Sequence, residues 1–159
     1  MIGNGSGMSS HLLLGSPTLE KLVTIDIEPE MINGSHLFYP VNKRVFDDPR
    51  ARYVHDDAKS YFASQNRKFD LILSEPSNPW MVGVGSVFSR EFYELCASRL
   101  KDGGIMTQWF HVYEMHDGIV QLVFHTFATV FPHVELWDPG TGDLILLGSQ
   151  KPLIAWMRV

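Results

Sequence analysis

Short β-rich runs alternate with segments of helical spacing along most of this chain, and that alternation is the strongest constraint on its fold. The runs 22–27, 51–55, 69–74 and 105–110 are rich in branched and aromatic residues over strand-like lengths. Between the last two, Phe88, Phe92, Leu95, Cys96 and Leu100 recur at helical spacing. Glu91 falls in the first turn of that helix, and Lys101-Asp102-Gly103-Gly104 is its expected stop. Ile119, Leu122, Val123, Phe127 and Val130 repeat the spacing until Pro132 ends it. Two further runs, 134–137 and 143–148, are joined by the turn-rich Asp138-Pro139-Gly140-Thr141-Gly142. The order predicts an α/β fold with a mostly parallel central sheet, helices on both faces and an antiparallel edge. No repeat, low-complexity segment or linker interrupts it, so residues 1–159 read as a single domain.

A chain of 159 residues can bury roughly 70% of the surface it exposes unfolded, and so needs neither disulfides nor structural metal. The single Cys96 agrees, since one thiol forms no internal disulfide. Thirteen Lys and Arg against eighteen Asp and Glu give a formal charge of −5, a poor match for nucleic acid or anionic lipid and a better one for cationic small molecules. The start, Met1-Ile2-Gly3-Asn4-Gly5, has neither the basic end nor the apolar stretch of a signal peptide. No apolar run approaches the ~18 residues of a membrane span. The expectation is a cytoplasmic protein, or the cytosolic domain of a longer membrane protein, with no membrane insertion of this segment. Homodimerisation is left open.

Gly3-Asn4-Gly5-Ser6-Gly7 places glycines at alternate positions just before a potential helix, which lets backbone approach a ligand closely. Only Met1 and Ile2 remain ahead of it, so part of the first strand is expected to be missing. Asp26 ends the next strand 19 residues beyond Gly7, where an acid can accept both hydroxyls of a ribose; Glu28-Pro29-Glu30 nearby offers an alternative, and a bare turn-capping role for Asp26 is the plainer reading. Asp56-Asp57-Ala58 follows the strand 51–55, where an acid can accept from an exocyclic adenine amine while a backbone amide donates to the ring. Three strand ends with this chemistry suggest an adenosine-containing ligand. NAD would satisfy two of them but requires a second domain that this length leaves no room for, so a compact adenosyl sulfonium fits better.

The strand 69–74 runs into Glu75-Pro76-Ser77-Asn78-Pro79-Trp80, and in an open α/β sheet the crevice beyond strand C-termini is where ligands sit. With Ile2 through Gly7, Ile25-Asp26-Ile27-Glu28-Pro29-Glu30, Asp57-Ala58, Phe88-Ser89-Arg90-Glu91-Phe92-Tyr93 and Asp102-Gly103-Gly104-Ile105, the chain resembles the spermidine/spermine synthase family over essentially its whole length. The pattern Ser-Glu-Pro-Ser-Asn-Pro-Trp is closest to a bacterial subgroup in which this domain often follows a membrane-spanning segment. The resemblance implies a Rossmann-like domain of class I methyltransferase type. It also implies transfer of an aminopropyl group from decarboxylated S-adenosylmethionine to an amine; that no metal takes part is a separate expectation, from the histidine spacing.

Carried over residue by residue, Asp26 matches the family's ribose-binding acid and Asp57 its adenine-binding acid; with Gly3, Gly5, Gly7 and Ala58 they are the expected donor-binding residues. Glu75 stands where the family has its catalytic Asp, an acid that helps deprotonate the attacking amine. Ser6 and Asn78 fall on the acceptor side but replace two family acids that hold cationic amine ends, and Tyr113 is expected there because it follows the strand 105–110. The family's N-terminal β-rich segment is absent. Two other readings therefore stay open: a methyltransferase using S-adenosylmethionine, and a non-catalytic nucleotide-binding domain of a larger membrane protein. The seven histidines show no zinc-like spacing. Gln108 and Trp109 could line the acceptor side, Trp109 equally well the core; Trp80 could flank the acceptor channel or pack a loop; Cys96 reads as a buried small side chain.

Overall fold

The computed structural model describes residues 1–76, 83–113 and 115–153. The chain divides into two compact units, Met1–Tyr61 and Phe62–Val159.

In the first unit, helix α1 (Met8–Leu13) precedes strand β1 (Leu22–Asp26), and α2 (Pro29–Ser35), a 3-10 turn (His36–Phe38) and the short α3 (Arg44–Asp47) lead to β2 (Ala51–His55). β1 and β2 pair in parallel with Leu22 opposite Ala51 and Asp26 opposite His55. Ahead of the glycine loop, Ile2 makes a single parallel bridge to Ile25, reinforced by Gly3 N donating to Ile25 O and Ile25 N to Met1 O, each at 2.9 Å. Leu14, Leu22, Ile25 and Val45 are buried core residues. The connection after α1 is gripped by Arg50, whose guanidinium donates to the Leu14, Ser16 and Leu19 carbonyls and pairs with Asp48 at 2.7 Å. That hydrogen-bonded pairing draws the Asp48 carboxyl down to about 2 and raises Arg50.

Helix α4 (Ala58–Ser64) leads to β3 (Phe69–Ser74), and a 3-10 turn (Val84–Phe88) precedes α5 (Arg90–Arg99). β4 (Leu100–His111), α6 (Asp117–Val130), β5 (His133–Trp137) and β6 (Asp143–Ser149) complete the second unit. The sheet order is β3-β4-β6-β5, parallel between β3 and β4 and antiparallel thereafter. Ser89 caps α5, its hydroxyl accepting from Phe92 N. The core is aromatic: Tyr93 meets Phe127 edge-on at 5.0 Å, Phe127 tilts against Phe131 at 4.7 Å, and Phe110 meets Phe124 edge-on. Cys96 is fully buried there, and burial pushes its thiol up, away from the thiolate a nucleophile needs.

α5 ends at Arg99, just ahead of the expected stop at Lys101-Asp102-Gly103-Gly104, but the strand expected from residue 105 already begins at Leu100, because Leu100 is buried and pairs with Phe69. The ladder then slips between Phe69 and Leu71, so that Leu71 faces Ile105 and the intervening residues are taken up as an irregularity. Gly103 has φ 73°, and a Cβ on Gly104 would lie 3.0 Å from two backbone oxygens, so both glycines serve the slip. No helix among the described residues is long and apolar enough to cross a membrane.

Candidate functional site

The glycine loop begins where the Ile2 bridge ends and is a tight turn closed by Gly7 N donating to Asn4 O at 2.8 Å. Gly3, Gly5 and Gly7 all have positive φ, at 84°, 49° and 77°, a conformation that L side chains rarely adopt. At Gly7 a side chain would also be crowded, since a Cβ there would lie 3.2 Å from Val45 Cγ2. The amides of Gly5 and Ser6 donate to no partner among the described residues. They are the loop's available donors. α1 is only six residues long, so what the loop offers is individual N–H groups and little helix dipole.

Asp26, the last residue of β1, is tied directly to that loop: its Oδ2 accepts from Asn4 N at 2.8 Å and its Oδ1 from Glu28 N at 2.9 Å. Both the ligand-binding and the turn-capping expectations bear on this carboxylate, because each oxygen has a second lone pair after its backbone bond. Glu28, the alternative ribose acid, caps α2 with its Oε1 accepting from Glu30 N at 3.0 Å, and among the described residues it has no bond to the glycine loop of the kind Asp26 makes.

At the end of β2, Asp56 N donates to Asp26 O at 3.1 Å, which draws the two strand ends together. Asp57 Oδ1 accepts from Ser60 N at 3.0 Å and so anchors the first turn of α4, which Ala58 opens. The structure thus brings Gly3, Gly5, Gly7, Asp26, Asp57 and Ala58 to the C-terminal ends of neighbouring parallel strands in one unit. Ser6 sits in the same loop, its carbonyl accepting from Asn42 Nδ2 at 2.8 Å. Asn42 was missed in the sequence because nothing about an isolated Asn in a loop distinguishes it.

The other predicted residues belong to the second unit. Glu75 directly follows β3 and is partly buried. Ser74, opposite Gln108 in the parallel ladder, is fully buried. Gln108 is fully buried as well, its amide donating to Trp109 O, whereas Trp109 is half-exposed. Tyr113 is exposed, stacks on the buried His111 ring at 4.0 Å and 16°, and lies against Gly142. Asn78 and Trp80 lie outside the described residues. No group of three His, Cys, Asp or Glu among the described residues is placed to hold a metal ion.

Residues 1–137 match the spermine/spermidine synthase domain. The chain belongs to this family. Among relatives, the polyamine aminopropyltransferase of Pyrobaculum arsenaticum is 28% identical over 162 residues, which is 95% of this chain and 56% of that protein. The polyamine aminopropyltransferase of Aeropyrum pernix is 32% identical over 143 residues, 85% of this chain and 44% of that protein. The chain therefore spans about half the length of these relatives. A solved spermidine synthase in complex with the transition state analogue AdoDATO superposes with a TM-score of 0.82 at 24% identity, over 94% of this chain and 53% of that one. Human methyltransferase-like protein 13 in complex with SAH gives 0.77 at 18% identity, over 96% and 71%. The fold is the Rossmann-like α/β arrangement of methyltransferase type expected from the sequence.

Proposed function

We propose that this member of the spermine/spermidine synthase family binds an adenosyl sulfonium donor and transfers its aminopropyl group to a small-molecule amine. The observation that carries the reading is the tie between Asp26 and the glycine loop. One carboxylate fixes the loop's Asn4 amide while keeping lone pairs for a ribose, and the Asp57 strand end is drawn in beside it. The relatives' name and the AdoDATO-bound spermidine synthase support the choice of decarboxylated S-adenosylmethionine as donor.

In the proposed reaction the loop amides of Gly5 and Ser6 and the Asp57 carboxylate hold the adenosine, and the acceptor amine attacks the carbon beside the sulfonium. The acceptor ammonium first gives one proton to the base; the C–S bond then breaks as the C–N bond forms, releasing neutral methylthioadenosine and the aminopropylated amine as its ammonium. Glu75 is the proposed base, since an alkylammonium with a pKa near ~10.4 has no lone pair until it loses that proton. Tyr113 is proposed to offer its exposed ring face to the cationic acceptor.

Calorimetric titration with methylthioadenosine tests the donor half. Binding at ligand well above Kd should raise the melting temperature, by about 2.7 kcal/mol of added stability at 100 Kd. No binding would remove the reading.

A further inference from the structure

The donor loop is held from behind by a residue to which the proposed reaction gives no task. Asn42 lies between the 3-10 turn and α3 and is fully buried. Its Nδ2 donates to the Ser6 carbonyl and to the Ser35 carbonyl, each at 2.8 Å, while its Oδ1 has no partner among the described residues. The orientation is forced, because the flipped amide would set an oxygen against two carbonyls. An apolar side chain of similar size would remove the unpaired oxygen but leave both the Ser6 and the Ser35 carbonyl without their donor. What Asn42 contributes is its NH2 group.

That group fixes the Ser6–Gly7 peptide. A trans peptide sets its C=O and N–H in opposite directions, so with the Ser6 carbonyl held toward Asn42 the Gly7 N–H is aimed away, and it meets Asn4 O at 2.8 Å. The turn is thus pinned outside by Asn42 and inside by its own bond, with Asn4 Nδ2 adding a 3.2 Å bond to the Gly5 carbonyl, and together these orient the Gly5 and Ser6 amides. The buttress sits close: a Cβ on Gly7 would lie 3.4 Å from Asn42 Nδ2.

We propose that Asn42 is a positioning residue for the donor, setting the glycine loop in its binding conformation before any ligand arrives. The inference rests on the donor-binding reading above. Wild type, Asn42→Leu, Asn42→Ala and Ser10→Ala are compared by calorimetry with methylthioadenosine, well below every melting temperature, and by hydrogen exchange at Gly7 without ligand. Ser10→Ala is the control, since its hydroxyl bond to Thr24 at 3.2 Å stabilises the same unit without touching the Ser6 peptide.

The expected result is about a tenfold loss of affinity or more in both Asn42 variants, with faster Gly7 exchange. Ser10→Ala should lower the melting temperature and leave affinity within about twofold. Unchanged affinity and Gly7 exchange in either folded Asn42 variant overturns the proposal, as does an equal affinity loss in Ser10→Ala. Should wild type fail to bind methylthioadenosine, the donor reading fails on its own, and Gly7 exchange still decides whether Asn42 sets the loop.

Discussion

Replacing Asp26 by Ala removes two backbone hydrogen bonds to a carboxylate, one to Asn4 N that is partly buried and one to Glu28 N that is exposed. The partly buried bond is worth about 1.5–3 kcal/mol as a charge-assisted contact, and the exposed one adds about 0.5–1. A total of about 3 kcal/mol in a chain of this length lowers the melting temperature by about 6–12 °C. If the same carboxylate also accepts ribose hydroxyls, methylthioadenosine affinity falls by a further 1.5–3 kcal/mol, about 10- to 150-fold. Differential scanning calorimetry reads the first effect, and isothermal titration of the folded variant at low temperature reads the second. An unchanged melting temperature would refute the tie between Asp26 and the glycine loop. Unchanged affinity in folded protein would remove Asp26 from the site.

Glu75→Gln should bind methylthioadenosine almost as wild type and lose ~10²–10⁴-fold in single-turnover rate; unaltered turnover would exclude Glu75 as the base. Ser6→Asp with Asn78→Asp should improve the use of putrescine, measured as product formed per enzyme, and a wild type that already uses putrescine efficiently would refute the substitution argument. Asp48 is held down to about 2 by its hydrogen-bonded Arg50, so its contribution to stability is whole above its unfolded value near ~3.9 and is lost as pH falls toward 2. Asp48→Asn should therefore flatten the slope of stability against pH in that window, as followed by urea titration. Gly148→Ala would place a Cβ 2.5 Å from Phe127 Cε1 and 2.7 Å from Phe131 Cγ, and should cost about 1–3 kcal/mol or more by chemical denaturation.

The strands at 51–55 and 69–74 were legible to the residue, because each is a β-rich run bounded by turn residues. α2 and α3 were not, being seven and four residues long and lacking an apolar period. α2 instead depends on the Glu28 cap and on Pro29 at its first position. The end of α5 was legible but the start of β4 was not, because Gly103-Gly104 reads as a turn ahead of the strand, and only the pairing of Leu100 with Phe69 draws the preceding residues into it. That Gly3, Gly5, Gly7, Asp26 and Asp57 lie at the ends of neighbouring strands was readable from their order along the chain. Asn42 was not, because its role comes from two carbonyls distant in sequence, 36 and 7 residues away.

The most direct test of aminopropyl transfer is to incubate the protein with decarboxylated S-adenosylmethionine and a panel of amines and follow both products by mass spectrometry. The account predicts methylthioadenosine and an aminopropylated amine in equal amounts. Consumption of S-adenosylmethionine with release of S-adenosylhomocysteine, or donor binding with no turnover on any amine, would contradict it.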